Sequence, residues 1–262
     1  MSGSVNNGLA DPLAIRVTGL RTAFGDKVIH DNLDLEVRRG EILGVVGGSG
    51  SGKSVLLNTI LGLQQPDAGH VEVFGEDMGR SQGDVQRRIG VMFQQGALFS
   101  FLTVLQNVEA PMLEHTRLAP GFMREAARLK IRLAGLPAHA ADLRPAELSG
   151  GMRKRAGVAR AIALDPDILF LDEPTAGLDP IGAAEFDALI RDLRDTLGLT
   201  VFMITHDLDT LYAVCDRVAV IADRKIVTTA PLHELEQSDH PWIRDYFLGP
   251  RGRAAAEQQD SI

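Results

Sequence analysis

The chain has 262 residues, 45% of them hydrophobic, enough for one large domain or two small ones, and wholesale disorder is excluded. A formal net charge of −8 argues against a surface that coats nucleic acid. The single cysteine, Cys215, cannot form an internal disulfide and suits a reducing cytosol, where its expected role is that of a small apolar residue on a helix. No apolar run approaches a membrane span and Met1–Asp11 lacks a charged-then-apolar signal pattern, so the protein is expected to be soluble and cytoplasmic.

Met1–Asp11 is small and polar and is expected to fray. Leu33, Leu35 and Val37 alternate with Asp34, Glu36 and Arg38, which predicts a strand with one wet face. Glu41-Ile42-Leu43-Gly44-Val45-Val46 reads as a short apolar strand and Val55–Leu61 as a helix. Between them, Gly47-Gly48-Ser49-Gly50-Ser51-Gly52-Lys53-Ser54 fits the P-loop pattern G-x-x-x-x-G-K-[ST] at every specified position. The glycines let the backbone wrap closely enough to point successive N–H groups at one anion, and the helix adds its positive end. Lys53 then supplies a charge for the β- and γ-phosphates, and the Ser54 hydroxyl is placed to ligate Mg²⁺. Strand, loop and helix in this order imply a nucleotide site.

Val71-Glu72-Val73-Phe74, after the turn-forming Asp67-Ala68-Gly69, is a second alternating strand. With the first it predicts a small antiparallel sheet beside the nucleotide. Phe24 lies in this layer, either stacked on an adenine ring or buried as a core residue; spacing does not separate the two. From Gly96 to Leu164 the pattern is helical, interrupted by Pro111, Pro120, Pro137 and Pro145. Within Met123–Leu136 the charges of Arg124, Arg128, Lys130 and Arg132 read as a solvated face. Beyond Asp165-Pro166 strand and helix alternate. Ile168–Leu171 and Val201–Ile204 are wholly apolar, the mark of parallel strands covered on both faces, joined by helices such as Ala183–Leu197. Val218–Ala222 reads as an edge strand and Pro241 to Leu248 as a helix; 249–262 is polar and expected to be loose. The expected fold class is α/β, one domain over 13–248 with a helical subdomain at about 96–164.

Three apolar strands end in polar residues: Val45-Val46 in the glycine loop, Ile168–Leu171 in Asp172-Glu173, and Val201–Ile204 in Thr205-His206-Asp207. Ligands of open parallel sheets bind beyond the carboxyl ends of the strands, so these ends should converge on the γ-phosphate. Asp172 sits where a second Mg²⁺ contact belongs, Glu173 could orient or deprotonate the attacking water, and His206 could donate a hydrogen bond to the γ-phosphate. Leu148-Ser149-Gly150-Gly151-Met152 places a capping serine and two glycines at a helix start. That is either an ordinary cap or a second phosphate surface, and with Lys53 already in one cradle such a surface would face a nucleotide held by another copy.

Together these residues resemble the ATP-binding-cassette (ABC) family over almost the whole chain, as a P-loop ATPase core with an antiparallel β subdomain and a helical signature subdomain. Gly47–Ser54 is similar to its Walker A, Ile168–Glu173 to its Walker B with the following glutamate, and Leu148–Met152 to its signature motif. Ala176-Gly177-Leu178-Asp179 resembles the D-loop, His206 the switch histidine, Phe93-Gln94 the Q-loop, and Phe24 the adenine-stacking aromatic. The resemblance implies ATP and Mg²⁺ as cofactors, with Gln94 reaching the metal and the water. It implies a head-to-tail dimer that sandwiches two ATPs between Lys53 of one copy and Ser149 of the other, driving a membrane permease. Met152 departs from the glutamine that usually ends the signature. That methionine, Gly96-Ala97-Leu98-Phe99, Leu102-Thr103-Val104, Asn107-Val108 and His240–Phe247 resemble the Mla-type cassettes. These imply an ATPase peripheral on the cytoplasmic face of the inner membrane, an MCE-domain lipid carrier, phospholipid as cargo, and a small STAS-domain protein bound to the ATPase. Trp242, Tyr246 and Phe247 would share one helix face and dock either on this chain's own core or on a second copy.

Overall fold

The computed structural model describes residues 12–79, 84–94 and 96–249; the expectations for Met1–Asp11 and for 250–262 lie outside the described residues. The chain opens with β1 (Leu13–Phe24) and β2 (Lys27–Arg38), a hairpin in antiparallel register from Leu13↔Arg38 to Phe24↔Lys27. It continues through β3 (Ile42–Gly47) into α1 (Lys53–Ile60). The strand expected at Val71 is β4 (Ala68–Val73), followed by the short β5 (Glu76–Asp77). Four antiparallel strands in the order β2-β1-β4-β5 form the smaller sheet.

The helix α2 (Asp84–Arg87) and β6 (Ile89–Met92) lead into the helical region of α3 (Val104–His115), α4 (Pro120–Leu133) and α5 (Gly150–Ala161). Local chemistry sets these starts: Thr103 and Gln106 form a reciprocal capping box on α3, Pro120 occupies the first turn of α4, and Ser149 caps α5. Then come β7 (Ile168–Asp172), α6 (Pro180–Leu197), β8 (Thr200–Ile204), α7 (Leu208–Val214), β9 (Arg217–Ala222), β10 (Lys225–Ala230), α8 (Leu232–Leu235) and α9 (Pro241–Phe247). The larger sheet runs β10-β9-β3-β8-β7-β6 and is parallel except for the β9-β10 hairpin.

Burial on both faces explains the apolar strands. In β7, Leu169 and Leu171 enter the core beneath α3 to α6, whereas Ile168 and Phe170 enter the core shared with α1 and the smaller sheet. In β8, Val201 and Met203 divide from Phe202 and Ile204 in the same way. Phe170 and Phe202 stand in register with ring centroids 5.4 Å apart, each side chain worth roughly 2–3 kcal/mol relative to exposure.

Two expectations are corrected. Val218–Ala222 is an interior strand, because β10, which carries a lysine and two threonines in place of an apolar run, pairs outside it. Lys130 does not share the solvated face of α4: it is buried, and its ammonium reaches the Asp165 carboxylate. Cys215 closes α7 and packs with Leu211 against Gly44, where an added Cβ would come within 2.9 Å of its sulfur. The C-terminal aromatics dock on the chain's own core, where Ile243 and Phe247 pack with Val46, Leu211, Val218 and Val220.

Candidate active site

Parallel register brings the three strand ends to one edge. Val45 of β3 and Asp172 of β7 both align with Ile204 of β8, so the glycine loop, Asp172-Glu173 and His206 emerge side by side. Close approach dictates two of the loop's glycines, Gly47 and Gly52. At Gly47 a Cβ would lie 2.6 Å from the Ile221 carbonyl oxygen; at Gly52, with φ 98°, it would lie 2.4 Å from His30 Nε2. Lys53 opens α1 and donates from Nζ to the carbonyls of Gly47 (2.7 Å) and Gly48 (3.2 Å), bracing the loop across its own mouth. Ser54 follows, exposed on the first turn, as are Ser49 and Gly50 on the loop.

Charge is concentrated here. Burial raises the pKa of Asp172, and the neighbouring Glu173 carboxylate raises it further, while Lys154 and Lys53 pull it down. Burial likewise lowers the pKa of Lys53, opposed by Glu173 and Asp172. Glu173 adopts a left-handed backbone with φ 48°, a cost of roughly 1–3 kcal/mol for a residue with a side chain. Its N–H donates to Ile204 O at 2.8 Å, and its Oε2 lies 2.7 Å from His206 Nδ1. The turn lifts the carboxylate out of line with Asp172 and towards the exposed histidine, two acids side by side with different surroundings.

Further expected residues form a second group. Ser149 accepts the Met152 N–H at 3.2 Å at the start of α5, and Asp179 accepts the Gly182 N–H at 2.9 Å at the start of α6. Gly151 faces Leu178, the residue before Asp179. Ser149, Gly150 and Asp179 are exposed, and among the described residues neither group is hydrogen-bonded to the other. Gln94 lies beyond β6 with its side chain exposed. Phe24 is 56% exposed at the end of β1, so it is not a core residue. Residues Asp26 to Ile29 of the same hairpin line a cleft of about 480 Å³ with Gly50 and Ser51.

Sequence reasoning missed several neighbours. Tyr246 of α9 donates its hydroxyl to His206 O at 3.1 Å and stacks on Trp242, which itself lies against Gly48. Trp242 is the chain's single tryptophan, so a saturable change in its emission on MgATP addition, absent in Trp242→Phe, is the expected signature of loop occupancy. Beneath His206, Thr210 Oγ1 donates to Asp187 Oδ2 at 3.0 Å and lies 3.3 Å from Thr175 Oγ1, which also reaches Asp207 at 3.4 Å.

Asp187 is buried, its Oδ1 has no partner among the described residues, and burial chiefly pushes its pKa up to about 7. The folded chain therefore holds a proton that the unfolded chain releases near pH 3.8, so this stability is complete below that value and lost as pH rises to about 7. Asp187→Asn removes the buried charge and should raise the melting temperature at pH 8 more than at pH 5. Equal shifts at both values would contradict the sign.

The sheet and its glycine loop define a P-loop α/β protein of the nucleotide-binding kind. Residues 30–176 match the family model described as ABC transporter. The chain is 40% identical over 239 residues, covering 90% of each chain, to the intermembrane phospholipid transport system ATP-binding protein MlaF of Haemophilus influenzae. It is 35% identical to the "Probable ribonucleotide transport ATP-binding protein mkl" of Mycobacterium leprae, over 95% of this chain and 74% of that one. Among solved structures it is similar to the dimeric bacterial ABC transporter cassette MJ0796, with 30% identity, a TM-score of 0.76, and coverage of 83% of this chain and 98% of that one. A second structure of that cassette is a post-hydrolysis dimer bound to ADP and Pi. The chain belongs to the ABC transporter family, and it is an ATP-binding, ATP-hydrolysing cassette of that family.

Proposed function

We propose that the chain hydrolyses ATP at two sites shared between two copies of itself and thereby powers phospholipid movement through a membrane permease. The observation that carries the cargo assignment is the identity to the phospholipid-system protein, sustained over 90% of both chains. In each site the loop N–H groups of Gly47, Gly48, Ser49, Gly50, Ser51 and Gly52, with Lys53, hold the phosphates, and Phe24 stacks on the base. Glu173 orients the attacking water and accepts its proton, and His206, held at Nδ1 by that carboxylate, offers its other ring nitrogen to the γ-phosphate. Ser149, Gly150, Gly151 and Asp179 complete the site of the opposite copy.

Ser54, Gln94 and Asp172 suit Mg²⁺, which takes few protein ligands beside the substrate phosphates. Two carboxylates at the strand end, one with its pKa raised by burial and by the other, are the surroundings a divalent cation relieves. When bound, the cation neutralises charge developing on the phosphates.

Phe93, Phe99 and Phe101 are exposed beside Gln94 and suit an apolar partner surface. Buried Asn107 holds this loop through Phe99 N (2.8 Å), Phe99 O (3.1 Å) and Thr103 O (2.9 Å). We assign the permease to this face, with an MCE-domain lipid carrier and a STAS-domain protein as further members of the assembly. Among the described residues no helix is long and apolar enough to cross a membrane, which fits a peripheral place on the cytoplasmic face of the inner membrane. The single domain of 13–248, with the helical region at about 96–164, acts as one motor.

Capture of the tagged chain from detergent-solubilised native membranes, with mass spectrometry of bound proteins and lipids, tests this reading. Recovery of a permease, an MCE-domain protein and phospholipid is expected. A permease for another solute, without an MCE-domain protein, would keep the ATPase and discard the cargo.

A further inference from the structure

Lys154 stands on the second turn of α5 with only 8% of its surface exposed. Its ammonium donates to two main-chain carbonyls, Gln94 O at 2.5 Å and Glu173 O at 3.0 Å. Both acceptors lie two residues beyond Met92 and Leu171, which are register partners in adjacent strands. The carboxylates of Glu173 and Asp172 favour its charged form against burial. The same helix straps the Gln94 segment twice more. A Cβ on Gly157 would lie 3.1 Å from Gly96 Cα, and the Arg160 guanidinium donates to Ala97 O while lying 4.8 Å from the Phe99 ring centre.

We propose that Lys154 is a positioning residue for hydrolysis: by bridging the carbonyls of Gln94 and Glu173 it holds the left-handed turn that aims the Glu173 carboxylate, and it ties that turn to the segment carrying Phe99. The proposal rests on the water-orienting role given to Glu173. Ammonium is suited to this place because its donors spread tetrahedrally to two carbonyls without a planar fork. A shift of the Gln94 segment relative to α5 strains or breaks one arm of the bridge, and the other arm carries the change to Glu173. Because Ser149 caps the same helix, a copy docking on Ser149 also acts on the bridge through one rigid element.

Steady-state and single-turnover hydrolysis of MgATP by the full chain test this with Lys154→Met, Lys154→Gln, Glu173→Gln and the Lys154→Met/Glu173→Gln double variant. Misplacing a catalytic group by about 1 Å costs up to a hundredfold, so Lys154→Met is expected to lower kcat about ten- to a hundredfold at unchanged KM. Lys154→Gln, which keeps a donor, is expected to recover part of that loss. In the Glu173→Gln background Lys154→Met is expected to cost nothing more, because the residue it positions is already gone. An unchanged kcat in Lys154→Met, or the same fold loss with and without the Glu173 carboxylate, would overturn the proposal. Should Lys154→Met fail to fold, Lys154→Gln carries both comparisons. Failure of the underlying reading looks different: Glu173→Gln alone would then keep its turnover.

Discussion

Glu173→Gln is expected to bind MgATP with near-parental affinity and to hydrolyse it about two to four powers of ten more slowly, the range for removing a positioned base. The amide has nearly the volume of the carboxylate and still meets His206, but it cannot take a proton from water. Its left-handed turn and the bonds of Ile204 O and Lys154 Nζ to its main chain are unaffected by the substitution, so the loss falls on kcat. Rapid-quench measurement of phosphate release beside equilibrium binding of labelled ATP separates the two quantities. Turnover within about threefold of the parent would move the base elsewhere.

Lys53→Ala is expected to lose tight MgATP binding. A hydrogen bond to a charged group contributes about 1.5–3 kcal/mol, so Kd should rise about ten- to a hundredfold or more. Lys53 also donates to the Gly47 and Gly48 carbonyls, so the variant loses this brace across the loop mouth as well. Lys53→Arg keeps the charge but puts a planar fork where a tetrahedral donor spans two carbonyls, and it should recover little. Calorimetric titration with MgATP checks both, and unchanged affinity in Lys53→Ala would remove the glycine loop from the binding site. The melting temperature should fall only modestly, because Leu56, Leu57 and Ile60 still anchor α1.

Much of this molecule was legible because its informative residues are local. Gly47 must be glycine where it meets the Ile221 carbonyl and Gly52 where a positive φ brings it against His30, and Ile168–Leu171 must be apolar wherever both faces of a strand are covered. Ser149 could be read as a helix start because a cap is local chemistry, and it does cap α5; that Asp179 of the D-loop-like stretch caps α6 is seen only in the structure. The rest is made of long-range pairs. Lys154 sits between two arginines and looks like part of a charged run, yet its acceptors are 60 and 19 residues away. Lys130 resembled its exposed neighbours until Asp165, 35 residues on, was brought under it. Val218–Ala222 looked like an edge because the strand that covers it, Lys225–Ala230, carries lysine and threonines in place of an apolar run. The Asp187–Thr210–Thr175–Asp207 chain has no periodic signal at all, since its members come from three elements and meet only once α6 and α7 pack behind the sheet.

In the proposed assembly each ATP site is completed by a second copy, Lys53 from one and Ser149 from the other. Light scattering on size-separated Glu173→Gln reads this pairing. With MgATP the 28.3 kDa chain should run as a dimer, and it should return to monomer with MgADP or when Ser149 is replaced by a bulky residue. A chain that binds MgATP fully and stays monomeric, in isolation and beside its captured membrane partner, would contradict the shared site.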